Sequence, residues 1–118
     1  MSGHNRGIFL ERDNVLIPER ADRIDITKEE IYENVGEAIR LIRELGYTVF
    51  LIAHHPAVAH GLISESKLED LHCNLVCFIS EQDPMAFIDG IYACPNDPNG
   101  TEEKYSQTFE CRFPEASL

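Results

Sequence analysis

The chain has 118 residues, 43% of them hydrophobic, and 21 acidic against 10 basic side chains give it a formal net charge of -11. That length is one domain with a single core, near the lower limit for a doubly wound α/β fold. The negative field argues against nucleic acid or an anionic membrane as a partner, and works against a phosphorylated substrate unless cations or a metal offset it locally. No apolar run is long enough to span a bilayer, and no basic-then-apolar leader opens the sequence. The expectation is a cytoplasmic protein, whose four cysteines serve as thiols or metal ligands rather than disulfides.

Residues 7–10 (Gly-Ile-Phe-Leu) form a short apolar run, a buried strand leading into a loop that carries Glu11 and Asp13. Residues 16–27 are polar, without a clear period, and read as loop. From Glu29 onward Ile31, Val35, Ala38, Ile39, Ile42 and Leu45 recur at helical spacing. Thr27 with Glu30 makes a capping box, and Gly46 is a helix stop. Tyr47 to Ala53 is β-branched and almost wholly apolar, the pattern of a strand buried on both faces. His54-His55-Pro56 breaks it.

Ser64, with Lys67 and Leu68 following, opens a second amphipathic helix whose apolar side is Leu68, Leu71, Leu75, Val76 and Ile79. On that helix Cys73 and Cys77, four apart, have the spacing to share a metal but read better as small core-facing side chains. Gln82-Asp83-Pro84 is a turn, Phe87 to Tyr92 a third strand, and residues 94–118, rich in Pro, Asn, Asp and Gly, a loop. Strand, helix, strand, helix, strand with short links is the α/β pattern, and right-handed crossovers make the sheet parallel.

In such a sheet ligands bind beyond the carboxyl ends of the strands, where Glu11 and Asp13 face the segment 53–57. Two carboxylates at i and i+2 either hold magnesium and divide nucleophile and acid roles, or are two solvated loop acids. His54, His55 and His60 sit in the same region, as ligands of a substrate or metal or as a solvated loop.

Motifs along the chain bear on these readings. Glu11-Arg12-Asp13-Asn14-Val15 parallels Asp-Arg-Asp-Gly-Val. Ala53-His54-His55-Pro56-Ala57 with Ala59-His60-Gly61 parallels Thr-Asn-Gln-Ser-Gly with Ala-Arg-Gly. Asp89-Gly90-Ile91-Tyr92-Ala93-Cys94-Pro95-Asn96 parallels Asp-Gly-Ile-Tyr-Tyr-Cys-Pro-His, and Phe109-Glu110-Cys111-Arg112-Phe113-Pro114 parallels Cys-x-Cys-Arg-Lys-Pro. In order and spacing the chain resembles the haloacid dehalogenase (HAD) superfamily of phosphatases, and within it the D-glycero-D-manno-heptose-1,7-bisphosphate 7-phosphatase and histidinol-phosphatase subgroup.

The resemblance implies one HAD-like domain over 1–118: an α/β, parallel Rossmann-like three-layer sandwich, truncated on its C-terminal side. It implies hydrolysis of a phosphate monoester on a small phosphorylated sugar, with Glu11 in the nucleophile's place and Asp13 as general acid and base. Both would be magnesium ligands, though the acidic Gly-Asp loop that completes the family's metal site has no counterpart. Arg12, His54, His55, His60 and Arg112 would face the substrate.

The departures from the family point to impaired catalysis. Glutamate for aspartate moves the carboxylate by roughly 1 Å, a shift that can cost about a hundredfold in rate. Ala53 stands for a phosphate-binding threonine and Phe113 for a charge-offsetting lysine. Losing one such stabiliser costs about a hundred- to a thousandfold. A zinc loop over 94–114 keeps Cys94 and Cys111 but has Asn96 and Phe109 at the other two ligand positions. That leaves a zinc remnant, two loop thiols, or a disulfide in an oxidising setting. The family's later strands pair beside the first, so strand 7–10 is expected as an open edge where a second copy or a partner protein docks. The alternative function is a non-catalytic binding or regulatory module, or a fragment of a larger protein.

Overall fold

A computed structural model describes residues 6–20 and 22–94. Its elements in chain order are strand β1 (Gly7–Glu11), a 3-10 turn (Lys28–Glu30), helix α1 (Val35–Glu44), strand β2 (Thr48–His54), helix α2 (Glu65–Gln82) and strand β3 (Gly90–Cys94). The strands form one parallel sheet in the order β1-β2-β3. Among the described residues β1 is therefore an edge. No described helix is long and apolar enough to cross a membrane.

Strand register sorts the side chains onto two unlike faces. Val49 and Leu51 of β2 share a core with Val35 and Ile39 of α1 and Leu68, Leu71, Leu75 and Ile79 of α2, and Leu10 and Ile91 pack against it. On the opposite face Phe9 stacks on Phe50 and Tyr92 packs tilted against both, with ring centroids 5.3 to 6.1 Å apart. Phe9 and Tyr92 are each 47% exposed there. The described helices thus cover one face, and β2 alternates buried with half-buried residues instead of being enclosed on both sides. Burial of β2 on two faces would need a covering layer that an apolar run cannot itself reveal.

Other departures from the expected elements have local causes. The capping box at Thr27 and Glu30 closes only the 3-10 turn. Asn34, in a left-handed conformation at φ 67°, separates that turn from α1, so the helix begins later than its periodicity suggests. Gln82, from the far end of α2, caps α1 in place of a local side chain: its Oε1 accepts from the Gly36 N–H at 2.7 Å. Ser64 caps α2 as expected, accepting from the Lys67 N–H at 3.1 Å. Leu16, Ile17 and Ile26, inside the polar segment 16–27, belong to the core.

Residues 87–89 lie outside β3, where Asp89 has another task. Its carboxylate accepts from the Val49 N–H at 2.7 Å and from the Arg43 guanidinium. Cys73 and Cys77 are exposed rather than core-facing. Leu68, Leu71, Leu75 and Ile79 set the buried side of α2, and it is His72 that falls among them.

Candidate functional site

The ends of the strands are tied into one rim. The Arg12 N–H donates to the Ile52 carbonyl at 2.9 Å, carrying the β1–β2 ladder one step past Glu11. The His55 N–H donates to the Cys94 carbonyl at 2.8 Å and does the same for β2 and β3. Beyond the rim the chain turns at Asn14, left-handed at φ 65°. The Asn14 side chain then closes the loop, its Nδ2 donating to Glu19 Oε1 at 3.0 Å and its Oδ1 accepting from the Glu19 N–H at 3.2 Å.

A cavity of about 220 Å³ opens at this rim, walled by Glu11, Asp13, Asn14 and Glu19 on one side and Ile52, His54 and Pro56 on the other, with Arg20 at its edge. Segments after β1 and β2 thus meet as their topology requires, and Glu11, Asp13 and His54 come together. Three carboxylates face Arg20, whose guanidinium is 59% exposed and already 3.5 Å from Glu30. Asp13 is itself paired with Arg12, so Glu11 and Glu19 carry the negative charge of the wall.

The other described site residues named from sequence do not wall the cavity. Arg12, expected to face a substrate, is 1% exposed and buried. Its Nε and Nη2 each donate to one Asp13 oxygen at 2.9 Å, and its Nη1 lies 2.9 Å from His72 Nε2. Arginine has no acceptor, so His72 accepts there and carries its proton on Nδ1. Burial, with Arg12 nearby, pushes the His72 pKa down to about 3.

His55, also expected at the substrate, points inward and is 1% exposed. Its Nε2 donates to the Arg23 carbonyl at 2.8 Å and its Nδ1 is buried without a partner. Burial, then Arg12, lowers its pKa to about 4. His60 is half-buried in the turn after β2 and does not wall the cavity. Ala53 is 1% exposed, with its methyl on the helix-covered side. The cavity receives Ile52 and His54 instead.

Cys94, expected as a thiol or a zinc ligand, is instead buried with its sulfur in a disulfide. Asn96, Phe109, Cys111, Arg112 and Phe113 lie outside the described residues. Among the described residues no group of three or more His, Cys, Asp or Glu side chains is arranged to hold a metal.

Sequence reasoning missed Arg23, His72 and Glu19. Arg23 is buried and organises the loop 16–27, donating to Pro18 O at 2.7 Å and to Asp25 O and Glu30 Oε1 at 3.0 Å. That bond to Arg23 is the main reason the Glu30 carboxyl is held below its usual range. Helical phase relative to Leu68 and Leu75 was the available signal for His72. Neither Arg23 nor Glu19 had one.

Comparison with known proteins agrees with this architecture. No family model matches the chain. It is 30% identical over 113 residues to the D-glycero-beta-D-manno-heptose-1,7-bisphosphate 7-phosphatase of Haemophilus ducreyi, covering 96% of this chain and 61% of that protein. The enzymes of the same name from Salmonella typhi and Escherichia coli K12 are 28% and 27% identical, with 94% of this chain matched to 58% and 57% of theirs. The chain thus spans about three-fifths of the length of these relatives.

Among solved structures, the D,D-heptose 1,7-bisphosphate phosphatase of B. bronchiseptica, complexed with magnesium and phosphate, superposes with a TM-score of 0.70 at 22% identity, covering 91% of this chain and 55% of that one. A HAD-like phosphatase from Mesorhizobium loti gives 0.78 at 19% identity over 92% of this chain and 51% of its own. The parallel sheet with its helices has the fold of these HAD-like phosphatase structures, and over nearly its whole length the chain is similar in sequence to heptose bisphosphate phosphatases.

Proposed function

We propose that this chain carries the carboxylate-bearing part of a HAD-type site for hydrolysing phosphate monoesters, and that it turns over slowly. The observation that supports this reading is the shared cavity of Glu11, Asp13 and His54 at the carboxyl rim of the sheet. Its 220 Å³ is below the roughly 300–1,000 Å³ of sites that enclose a whole ligand. It suits a phosphoryl group, with the sugar of a small phosphorylated metabolite left outside.

In this scheme a Glu11 oxygen attacks phosphorus while Asp13 gives a proton to the departing sugar oxygen. Water, deprotonated by Asp13, then releases phosphate from Glu11. Arg12, with a bond to each Asp13 oxygen, fixes that carboxylate toward the rim. Glu11 would hold a magnesium ion, which is commonly bound by one or two carboxylates with water and substrate phosphate completing its shell, while Asp13 stays engaged with Arg12. Such an ion would offset the negative wall of the cavity.

The test is magnesium-dependent hydrolysis of heptose bisphosphate and p-nitrophenyl phosphate by the chain and by Glu11→Asp and Asp13→Asn variants. Expected are turnover far below the usual range of about 1–1,000 s⁻¹, a gain of about tenfold or more in Glu11→Asp, and loss in Asp13→Asn. Turnover within the usual range would overturn the impairment. Indifference to both substitutions would overturn the site.

A second reading, a binding or regulatory module that kept the scaffold, is favoured by the apolar Ile52 in the cavity wall and the inward-facing Ala53. Phosphate or magnesium binding by calorimetry, without turnover in any variant, would select it. We also infer that β1, an edge strand among the described residues, pairs with a second copy of the chain. A monomer mass by light scattering across micromolar concentrations would count against that.

A further inference from the structure

A second and larger concavity, a groove of about 700 Å³, runs between α2 and β3 on the helix-covered side of the sheet. Its volume lies within the range of small-molecule sites. Leu68 and Val76 of α2 and Ile91 and Ala93 of β3 give it apolar walls, and Glu65 and Glu69 stand along it.

One polar group is built into that wall. His72 is 7% exposed and lines the groove. Its Nε2 is committed to Arg12 at 2.9 Å, which leaves the proton on Nδ1. Among the described residues no hydrogen bond engages that Nδ1–H, and it is not sealed from the groove. A nine-tenths-buried imidazole thus presents a donor of fixed tautomer to an apolar concavity, and a donor there stabilises whatever brings it an acceptor.

We propose that the groove between α2 and β3 binds an uncharged, mainly apolar small molecule that presents a carbonyl oxygen to His72 Nδ1–H. The walls select an apolar body. Arg12 prevents the imidazole from offering an acceptor instead of a donor. Glu69, in a chain of net charge -11, disfavours an anionic ligand. This site lies beyond the phosphatase reading and does not depend on it.

Acetanilide is the probe, with propylbenzene as a match lacking the acceptor and benzoate as the anion. Two readouts on the full chain need no turnover: methyl shifts of Leu68, Val76, Ile91 and Ala93, and protection of the exposed Cys73 and Cys77, which also line the groove, from iodoacetamide. Acetanilide should shift the methyls saturably and slow alkylation. It should bind about fivefold more tightly than propylbenzene, the worth of one neutral hydrogen bond. His72→Phe should erase that preference. His72→Gln, able to accept from Arg12 and still donate into the groove, should keep it.

Absent or unsaturable shifts, equal binding of propylbenzene, stronger binding of benzoate, or undiminished acetanilide affinity in His72→Phe would each overturn the proposal. So would contacts between these methyls and residues 95–118, which would make the chain its own occupant. Should His72→Phe not fold, the ratio of acetanilide to propylbenzene in the unmodified chain decides.

Discussion

Arg12 and Asp13 are neighbours in sequence, yet the 1%-exposed guanidinium of the first closes a two-armed bond, 2.9 Å on each arm, on the 20%-exposed carboxylate of the second. The third arm reaches His72, sixty positions further along the chain, also at 2.9 Å. One buried cation therefore joins the rim cavity to the middle of α2.

Arg12→Met should cost about 3 kcal/mol of stability, the low end of the penalty for removing one partner of a buried charged pair, because Asp13 keeps some solvent. Urea denaturation checks this, with the slope against denaturant unchanged. A cost below about 1 kcal/mol would mean that water replaces the guanidinium without penalty.

Acid should weaken the fold earlier than carboxylate titration alone would bring about. His55 and His72 have folded pKa values near 4 and 3 against an ordinary 6.5. Between those values the unfolded chain binds more protons than the folded one. Stability is then fully present above pH 6.5 and falls as pH drops toward 4, by about 1.4 kcal/mol per unit for each histidine. Melts at pH 7, 6 and 5 should show the decline, and His72→Gln should reduce its slope by about half. A flat profile over that range would contradict the burial of both rings.

Gly36→Ala sets two effects against each other. Alanine gains about 1 kcal/mol in helix propensity. The new Cβ would, however, stand 2.8 Å from Gln82 Cβ and 3.1 Å from Asp83 Cβ, where α1 meets the end of α2. Overpacking of that kind costs about 1–3 kcal/mol, and the bond from Gly36 N–H to Gln82 is strained with it. Net destabilisation of about 1 kcal/mol is expected in thermal melts; a rise in Tm would show that the two helix ends part freely.

Ser64→Ala removes the side-chain acceptor for the Lys67 N–H and should cost about 1 kcal/mol. Ser64→Asp should restore most of it. Equal loss in both variants would mean that the cap is not what holds the start of α2.

The parts legible in the sequence are those whose signal is local. Ser64 announces α2 by its side-chain chemistry, and Gly46, at φ 97°, marks the turn after α1. The rim cavity follows from topology once β1 and β2 are parallel, so Glu11, Asp13 and His54 could be brought together without coordinates. The inward turn of Arg12 and His55 could not. Both are polar residues beside a site, and only the location of His72 and of the Arg23 carbonyl decides that they bond to the interior. Leu16, Ile17 and Ile26 entered the core without a period to betray them, because the loop that carries them is folded around Arg23.

The clustered rings of Phe9, Phe50 and Tyr92 act on strand alignment. A slip of one residue in any of the three strands would drive its aromatic side chain beneath the helices and push an aliphatic one outward. The rings thus serve as a ratchet pawl, holding Glu11 level with Ile52 and so setting which side chains the rim can offer.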